Sequence, residues 1–129
     1  MKRTAIAVLT GAALMVALSG AAMAATLVGN PWAETLNGTA QGDTISGKGG
    51  DDALHGRGGN DFLYGGSGHD GLYGGPGNDE IDGVPGNDLI CSEGDGKAYK
   101  VDCGSGDDVV KASHTEQIDT YVGCEKFVY

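Results

Sequence analysis

A nine-residue repeat runs through the middle of the chain and constrains its fold more than any other feature. An aliphatic residue recurs every nine positions, a carboxylate lies two residues before it, and a glycine lies seven residues before it. Because this register holds through seven consecutive units, one structural unit must be stacked repeatedly, with one acidic side chain at a fixed place in each. The aliphatic residues are Leu36, Ile45, Leu54, Leu63, Leu72, Ile81 and Ile90.

Each unit combines a glycine-rich turn with a very short strand. Counted from the first glycine, the fourth position is glycine in five consecutive units, which indicates positive φ or a close approach of the backbone to a ligand. The fifth position carries Gly, Asp, Asn or His, and these residue types are also enriched at positive φ. The last three positions predict a strand with the aliphatic residue inward and its neighbours, such as Phe62 and Tyr64, outward. The units are 29–37, 38–46, 47–55, 56–64, 65–73, 74–82 and 83–91.

The repeated carboxylates form the candidate binding site. If two units complete one coil, each turn lies within ~4.8 Å of the turn two units later. The carboxylates then form two rows, Asp43, Asp61 and Asp79 on one side and Asp52, Asp70 and Asp88 on the other. Adjacent carboxylates in one row would repel by about 4 kcal/mol at ~4 Å and an effective dielectric of ~20. A cation between them would reverse the sign of this interaction.

The ligand chemistry of the turns favours calcium over other cations. Calcium takes about 6–8 oxygen ligands from carboxylates and main-chain carbonyls, which a glycine-rich turn with one Asp can supply. Magnesium requires a stricter octahedron and retains its waters, and soft metals prefer Cys or His. The alternative is that each Asp only stabilises its own turn by a local hydrogen bond. That alternative does not account for a carboxylate in every unit.

The unit Gly65-Gly66-Ser67-Gly68-His69-Asp70-Gly71-Leu72-Tyr73 resembles the RTX, or haemolysin-type, calcium-binding nonapeptide repeat, G-G-x-G-x-D-x-U-x. The resemblance covers residues 38–91 well and residues 29–37 weakly. It implies an all-β fold, a right-handed parallel β-roll of nine-residue repeats, with about four Ca²⁺ ions bound at millimolar affinity. The expected metal-binding residues are Asp43, Asp52, Asp61, Asp70, Asp79, Asp88, Asp108, Gly47, Gly49, Gly56, Gly58, Gly65, Gly66, Gly68, Gly74, Gly75, Gly77 and Gly86.

Calcium is also expected to drive folding. The aliphatic core is thin, and the many glycines favour the unfolded chain because glycine loses the most conformational freedom on folding. Ligand binding to the folded state alone supplies the missing stability. We therefore predict a chain that is largely disordered without calcium and folds cooperatively at millimolar calcium, as the resemblance also implies.

The first 24 residues have the features of a secretory signal peptide. Lys2 and Arg3 precede an apolar run that ends in the cleavage signal Ala22-Met23-Ala24. The alternative is an uncleaved membrane anchor, although the apolar run is near the lower length limit for a span. The prediction is a secreted, extracellular protein that begins at Ala25 and does not insert into membranes.

Charge and cysteine content agree with an extracellular calcium-binding protein. The net charge of −10 argues against nucleic acid or an anionic membrane surface as a partner, because both require a basic surface. Outside the cell two of Cys91, Cys103 and Cys124 are expected to pair, and three pairings are possible. A zinc site is disfavoured because no C-x-x-C motif is present. Similarity to the closing segment of small secreted RTX-repeat proteins, through 101–104, Asp119 and 124–125, implies a Cys103–Cys124 disulfide.

The two ends of the repeat are expected to act as caps. Residues 25–37 form the predicted N-terminal cap, in which Trp32 and Leu27 cover the open end of the stack. The calcium-binding repeats occupy residues 38–91, and residues 92–129 form degenerate repeats and a C-terminal cap. In that segment Tyr99 replaces the repeat Asp, and Asp108 is expected to lack a proper stacking partner.

No catalytic constellation is evident, so the protein is not expected to be an enzyme. The motifs G-x-S-x-G, H-E-x-x-H and C-x-x-C are absent, and Ser113 and His114 are adjacent and cannot act as nucleophile and base. Toxin and protease activities are not transferred from the resemblance. Two functions remain, a calcium-binding module and a calcium-stiffened adhesion or matrix protein with an unidentified protein or glycan partner. In the second, Phe62, Tyr64 and Tyr73 would form the contact stripe.

Overall fold

Thirteen short strands form two sheets in this computed structural model, which describes residues 4–8, 23–92, 99–112 and 120–129. No helix occurs within these ranges. The strands are β1 (Thr4–Val8), β2 (Ala24–Val28), β3 (Thr35–Asn37), β4 (Thr44–Ser46), β5 (Ala53–His55), β6 (Phe62–Tyr64), β7 (Gly71–Tyr73), β8 (Glu80–Asp82), β9 (Leu89–Ser92), β10 (Lys100–Asp102), β11 (Val109–Ala112), β12 (Thr120–Val122) and β13 (Lys126–Val128).

From β2 onward, each strand pairs in parallel with the strand two places further along the chain. One sheet has the order β1-β2-β4-β6-β8-β10-β12 and the other has the order β3-β5-β7-β9-β11-β13. Leu54 of β5 lies opposite Leu72 of β7, two repeat units later. The fold is therefore a parallel β-solenoid of about five coils, and the predictions of a parallel β-roll and of two units per coil are confirmed.

The core is formed by the middle residue of each strand. Alternate side chains of a strand point to opposite faces of its sheet, so only one residue of a three-residue strand reaches the interior. All seven predicted aliphatic residues are fully buried, and Val101 and Val110 continue the core in the C-terminal coils. This core is one side chain wide, as the repeat pattern predicts.

The predicted aromatic contact stripe is wrong. Phe62 and Tyr64 are exposed on β6 of the seven-stranded sheet, whereas Tyr73 lies on β7 of the six-stranded sheet. Successive units alternate between sheets, so outward residues of neighbouring units face opposite sides of the solenoid. Tyr73 instead stacks on His55 with ring centroids 4.6 Å apart.

The C-terminal coils differ in length from those of the repeat but keep the stack. Strands β8 and β10 pair Glu80 with Lys100, a spacing of 20 residues, and the solenoid continues through β12 and β13. The predicted disulfide between Cys103 and Cys124 is confirmed, with Cα atoms 5.2 Å apart. Other predictions for this segment, at residues 93–98 and 113–119, lie outside the described residues.

The N-terminal end differs from the predicted cap. Leu27 is buried as expected, but Trp32 is 73% exposed and does not cover the stack, so that prediction is wrong. Its main-chain N–H donates to Asn30 Oδ1 at 2.8 Å, which holds Trp32 in an outward turn. Strand β1 belongs to the predicted signal peptide and pairs in register with β2. Residues 9–22 of that peptide lie outside the described residues, and cleavage stays a prediction.

The described part of the chain offers no helix with the length and hydrophobicity that crossing a membrane requires.

Candidate metal centre

Two rows of buried carboxylates lie along the two turn edges of the solenoid. The first row contains Glu34, Asp52, Asp70, Asp88 and Asp108, and the second row contains Asp43, Asp61 and Asp79. Within a row, the main-chain N–H of each member donates to a side-chain oxygen of the next. Asp52 N–H donates to Asp70 Oδ1 at 2.9 Å, and Asp61 N–H donates to Asp79 Oδ1 at the same distance. The predicted division into two rows is confirmed.

Asp108 is a full member of the first row, so the expectation that it lacks a stacking partner is wrong. Asp88 N–H donates to Asp108 Oδ1 at 2.9 Å, across 20 residues instead of 18. The longer coil absorbs the two extra residues before β10, which restores the stacking of the turns. Beyond it, Glu125 Oε2 accepts the N–H of Asp108 at 3.3 Å.

The second oxygen of most row carboxylates is buried without a hydrogen-bond partner. This holds for Oδ2 of Asp52, Asp61, Asp70, Asp88 and Asp108, whose residues are at most 3% exposed. Burying a carboxylate oxygen without a compensating partner is costly, so natural proteins pair such groups or use them to bind metals. These oxygens are therefore the candidate metal ligands.

Beside the first-position glycine, a main-chain carbonyl of the next coil faces the Oδ2 atoms of Asp52, Asp61, Asp70 and Asp88. A Cβ placed on Gly65 would lie 2.6 Å from Asp70 Oδ2 and 2.9 Å from the Gly83 carbonyl oxygen. Gly47 faces Asp52 Oδ2 and the Gly65 carbonyl in the same way, and Gly56 faces Asp61 Oδ2 and the Gly74 carbonyl. The glycine is required because any side chain would occupy the place where the two oxygens converge. The pair matches the carboxylate and carbonyl ligands that calcium prefers.

Positive φ angles occur at the second and fourth positions of the turn. The fourth-position glycines adopt them as predicted, from Gly50 at 90° to Gly86 at 141°. The second position does so even without glycine, at Lys48 (78°), Arg57 (76°) and Val84 (68°). The sequence interpretation missed this position, although glycine at the second position of neighbouring units, Gly66 and Gly75, was a signal for it.

The expected positive φ at the fifth position is wrong. These side chains instead accept main-chain hydrogen bonds from the fifth position of the next coil. His69 N–H donates to Asp51 Oδ1 at 2.9 Å, and Asn87 N–H donates to His69 Nδ1 at 2.9 Å. Asn, Asp and His are enriched in left-handed backbone conformations, and their side chains also form hydrogen bonds with main-chain groups. In this protein the hydrogen bonding explains why these residues occur at the fifth position.

The predicted glycine ligands fall into two groups. At the third position, Gly58 has room for a Cβ, with its nearest atoms at 3.8 Å, and a Cβ on Gly49 would make one tight contact, 3.3 Å from the Ser67 hydroxyl oxygen. The others approach the neighbouring coil or carboxylate too closely for a side chain. These are Gly47, Gly56, Gly65 and Gly74 at the first position, Gly66 and Gly75 at the second, and Gly68, Gly77 and Gly86 at the fourth.

The electrostatics of the rows favour occupation by a cation. Burial, together with repulsion from neighbouring carboxylates of the same row, raises the pKa of Asp61 to about 7 and of Asp52 to about 6. Burial, with a smaller contribution from Asp70 and Asp108, likewise raises the pKa of Asp88 to about 7. The bonds from main-chain N–H groups oppose these shifts only in part. A bound cation would compensate the charge that burial disfavours.

Side chains alone do not form a metal site in the residues that the structure describes, because no three His, Cys, Asp or Glu side chains converge. Main-chain carbonyls would have to complete the coordination, which suits a hard cation and not zinc.

Comparison with known protein families agrees with this donor set. The family model described as the RTX calcium-binding nonapeptide repeat, in four copies, matches residues 37–72 and 55–90. The match covers residues 37–90 and is confined to that segment. The matched segment contains Asp43, Asp52, Asp61, Asp70, Asp79 and Asp88, so it coincides with the central part of the two carboxylate rows. No curated protein and no solved structure matches the chain.

Proposed function

We propose that the protein is a secreted calcium-binding protein whose stacked RTX turns bind about four Ca²⁺ ions and fold cooperatively as they bind. The observation that carries this proposal is the set of buried carboxylate oxygens without partners. Each of Asp52, Asp61, Asp70 and Asp88 directs such an oxygen toward a main-chain carbonyl of the next coil. The ions would bind between coils, where they would replace repulsion within a row by attraction.

Cooperativity follows from the architecture. Each coil buries two aliphatic side chains and pairs only with the coils above and below it, so an isolated coil cannot sustain its own fold. An ion between two turns stabilises both coils at once. Each site contributes about 1.4 kcal/mol when calcium is at tenfold its Kd, so several sites together can decide whether the chain folds.

A calcium titration of the full chain, followed by far-UV circular dichroism, tests the proposal. We expect a cooperative rise of the β signal near millimolar calcium and no rise with magnesium, because magnesium does not accept a partly carbonyl, irregular site. A β signal that is already complete in excess chelator and unchanged by calcium would contradict the proposal.

A matched pair of variants tests whether calcium binds to the row carboxylates or to other carboxylates of the turn. Asp70→Asn removes a buried row carboxylate, and we expect it to raise the calcium midpoint severalfold. Asp51→Asn changes an exposed fifth-position carboxylate whose role is to accept the His69 N–H, which an amide oxygen also does. Equal midpoints for the two variants would argue against ligation by the row.

Secretion is proposed from the basic start, the apolar run and the A-x-A cleavage signal. Fractionation of the producing cells and N-terminal sequencing test it, with Ala25 as the expected first residue. Retention of residues 1–24 in the membrane fraction would support the anchor instead.

No catalytic role is proposed. His55 is stacked on Tyr73, and His69 Nδ1 already accepts a hydrogen bond within the fifth-position ladder. The alternative of an adhesion or matrix protein loses its support because Phe62 and Tyr64 do not share a face with Tyr73. Nucleic acid and membrane insertion are not proposed, since the chain is strongly acidic.

A further inference from the structure

We propose that three of the four ends of the carboxylate rows are closed by protein groups that take the place of a calcium ion. Asn30 closes the N-terminal end of the first row, Thr39 closes the N-terminal end of the second, and Tyr99 closes its C-terminal end. This rests on the proposed function, because it states where along the rows calcium binds and where it is excluded.

The first carboxylate of each row is satisfied within its own turn. Asn30 donates its main-chain N–H to Glu34 Oε1 at 2.6 Å and its side-chain amide to Glu34 Oε2 at 2.9 Å. Thr39 donates its N–H to Asp43 Oδ2 at 2.5 Å and its hydroxyl to Asp43 Oδ1 at 2.9 Å. Both donors occupy the second position of the turn. Neither carboxylate has a buried oxygen without a partner, unlike Asp52, Asp61, Asp70, Asp88 and Asp108.

The backbone conformation at the second position accounts for this difference. From Lys48 onward the second residue has positive φ, as in Arg57 and Gly66. In the turns of these three residues the carboxylate Oδ2, which belongs to Asp52, Asp61 and Asp70 respectively, has no hydrogen-bond partner. Asn30 and Thr39 do not have positive φ, and their N–H groups reach the carboxylate. At the N-terminal ends of the two rows, the absence of positive φ at the second position therefore marks a turn that is closed to a cation.

Tyr99 closes the second row at the opposite end. It occupies the place of the repeat Asp, is 2% exposed, and donates its hydroxyl hydrogen to the Gly75 carbonyl. A Cβ on Gly74 would lie 2.9 Å from the Tyr99 ring. At the equivalent place beside Gly38 and Gly56, the earlier first-position glycines of this row, the nearest group of the next coil is a main-chain carbonyl. The ring fills the space after Asp79 that would otherwise hold an ion.

The sites that remain open are distributed unequally between the rows. A facing pair of carboxylate and carbonyl oxygens persists after Asp52, Asp70 and Asp88 in the first row and after Asp61 in the second. The repeat pattern places Asp43 among the calcium ligands. In this proposal its oxygens instead accept hydrogen bonds from Thr39 and do not bind calcium. The sequence pattern predicts two sites per side, whereas the closed ends give three sites in the first row and one in the second.

Counting bound ions by native mass spectrometry of the full chain in millimolar calcium tests the proposal. Thr39→Gly permits positive φ and removes the hydroxyl, so we expect one additional Ca²⁺. Tyr99→Asp restores the repeat residue and should also add one ion. Ala40→Gly, at the next position of the same turn as Thr39, and Tyr99→Phe, which keeps the ring, should add none.

The outcomes are distinguishable from those for the proposed function. If the unaltered chain binds no calcium, the proposed function itself fails. If it binds calcium but Thr39→Gly and Tyr99→Asp gain no ion while retaining the full β signal, the closed ends are overturned. If Tyr99→Asp does not fold, Tyr99→Asn replaces it, and Thr39→Gly tests the other end independently. A gain in Ala40→Gly equal to that in Thr39→Gly would also overturn the assignment.

Discussion

Gly65 and Asp70 are placed so that a side chain on the glycine would collide with the carboxylate, since a Cβ on Gly65 would lie 2.6 Å from Asp70 Oδ2. The same point is 2.9 Å from the Gly83 carbonyl oxygen of the next coil. The glycine therefore serves the binding site and not only the turn. This relationship recurs at the first position of the repeat and explains why that position is glycine in all seven units of residues 29–91.

Replacing Gly65 by Ala is expected to disrupt calcium-dependent folding, because the methyl group occupies the place where the two oxygens converge. Overpacking costs about 1–3 kcal/mol, and loss of one site adds about 1.4 kcal/mol at tenfold Kd. The calcium midpoint of the β signal measures the effect. Gly58→Ala is the matched control, since its Cβ would meet its nearest atoms at an ordinary 3.8 Å. Similar midpoints for both variants would contradict the geometry of the site.

Replacing Val84 by Gly is expected to stabilise the folded protein. Val84 has φ of 68°, a conformation that is strained for a β-branched residue and free of strain for glycine. Relief of this strain exceeds the entropy cost of glycine, for a net gain of about 1 kcal/mol. Thermal unfolding in saturating calcium measures it. Val84→Ala keeps a Cβ at positive φ and should gain less, and a lower melting temperature for Val84→Gly would refute the prediction.

Acidification is expected to affect the metal-free and calcium-bound forms in opposite directions. Burial raises the pKa of Asp61 and Asp88 from 3.8 to about 7, so the folded metal-free chain binds protons more tightly than the unfolded chain. Its stability should therefore rise as pH falls from about 7 toward 4, and it should be lost as pH rises through 7. Protons also compete with calcium for the same carboxylates, so the calcium midpoint should be higher at pH 5 than at pH 8.

Circular dichroism of metal-depleted protein at pH 5 and pH 8, with and without calcium, checks both directions. Asp51→Asn is a suitable control because that carboxylate is exposed. A metal-free β signal that is larger at pH 8 would show that the row carboxylates do not carry raised pKa values in the folded chain.

Reduction of the Cys103–Cys124 disulfide is expected to increase the calcium needed for folding. The bond closes a loop of 21 residues that contains β11 and β12, and a loop of this size contributes about 3 kcal/mol by restricting the unfolded chain. The calcium midpoint with and without reductant measures the effect. In a variant with both cysteines replaced by Ser, the midpoint should already be raised and should not respond to reductant. An unchanged midpoint on reduction of the unaltered chain would contradict the prediction.

Much of the architecture could be predicted from the repeat because a nine-residue period leaves little freedom. A three-residue strand buries only its middle side chain, so Leu63 and Leu72 must face inward on opposite sheets. Two units per coil then place Asp61 over Asp79 and Asp70 over Asp88, as the hydrogen bonds between them show. The ligand chemistry of the turns indicated calcium, and the resemblance to a known repeat supported calcium and added the disulfide pairing.

The errors occurred where a residue's role depends on the neighbouring coil. Trp32 was predicted to cover an end of the stack because it is large and apolar, but a local turn at Asn30 directs it outward. Asp108 was predicted to lack a partner because the repeat slips before it, but the longer coil brings it onto Asp88. Neither the outward turn at Asn30 nor the stacking of Asp108 on Asp88 can be inferred from the spacing of residues along the chain.

The sequence by itself therefore determined the solenoid, its core and its two rows of carboxylates, because each follows from a period that is the same in every unit. Only the tertiary structure decided which turns are open to a cation. That depends on the conformation of single residues such as Thr39 and Lys48 and on the group that the next coil supplies, a carbonyl after Asp61 and the ring of Tyr99 after Asp79. A periodic pattern predicts the same role for every unit, whereas contacts with the neighbouring coils differ between the middle of a row and its ends.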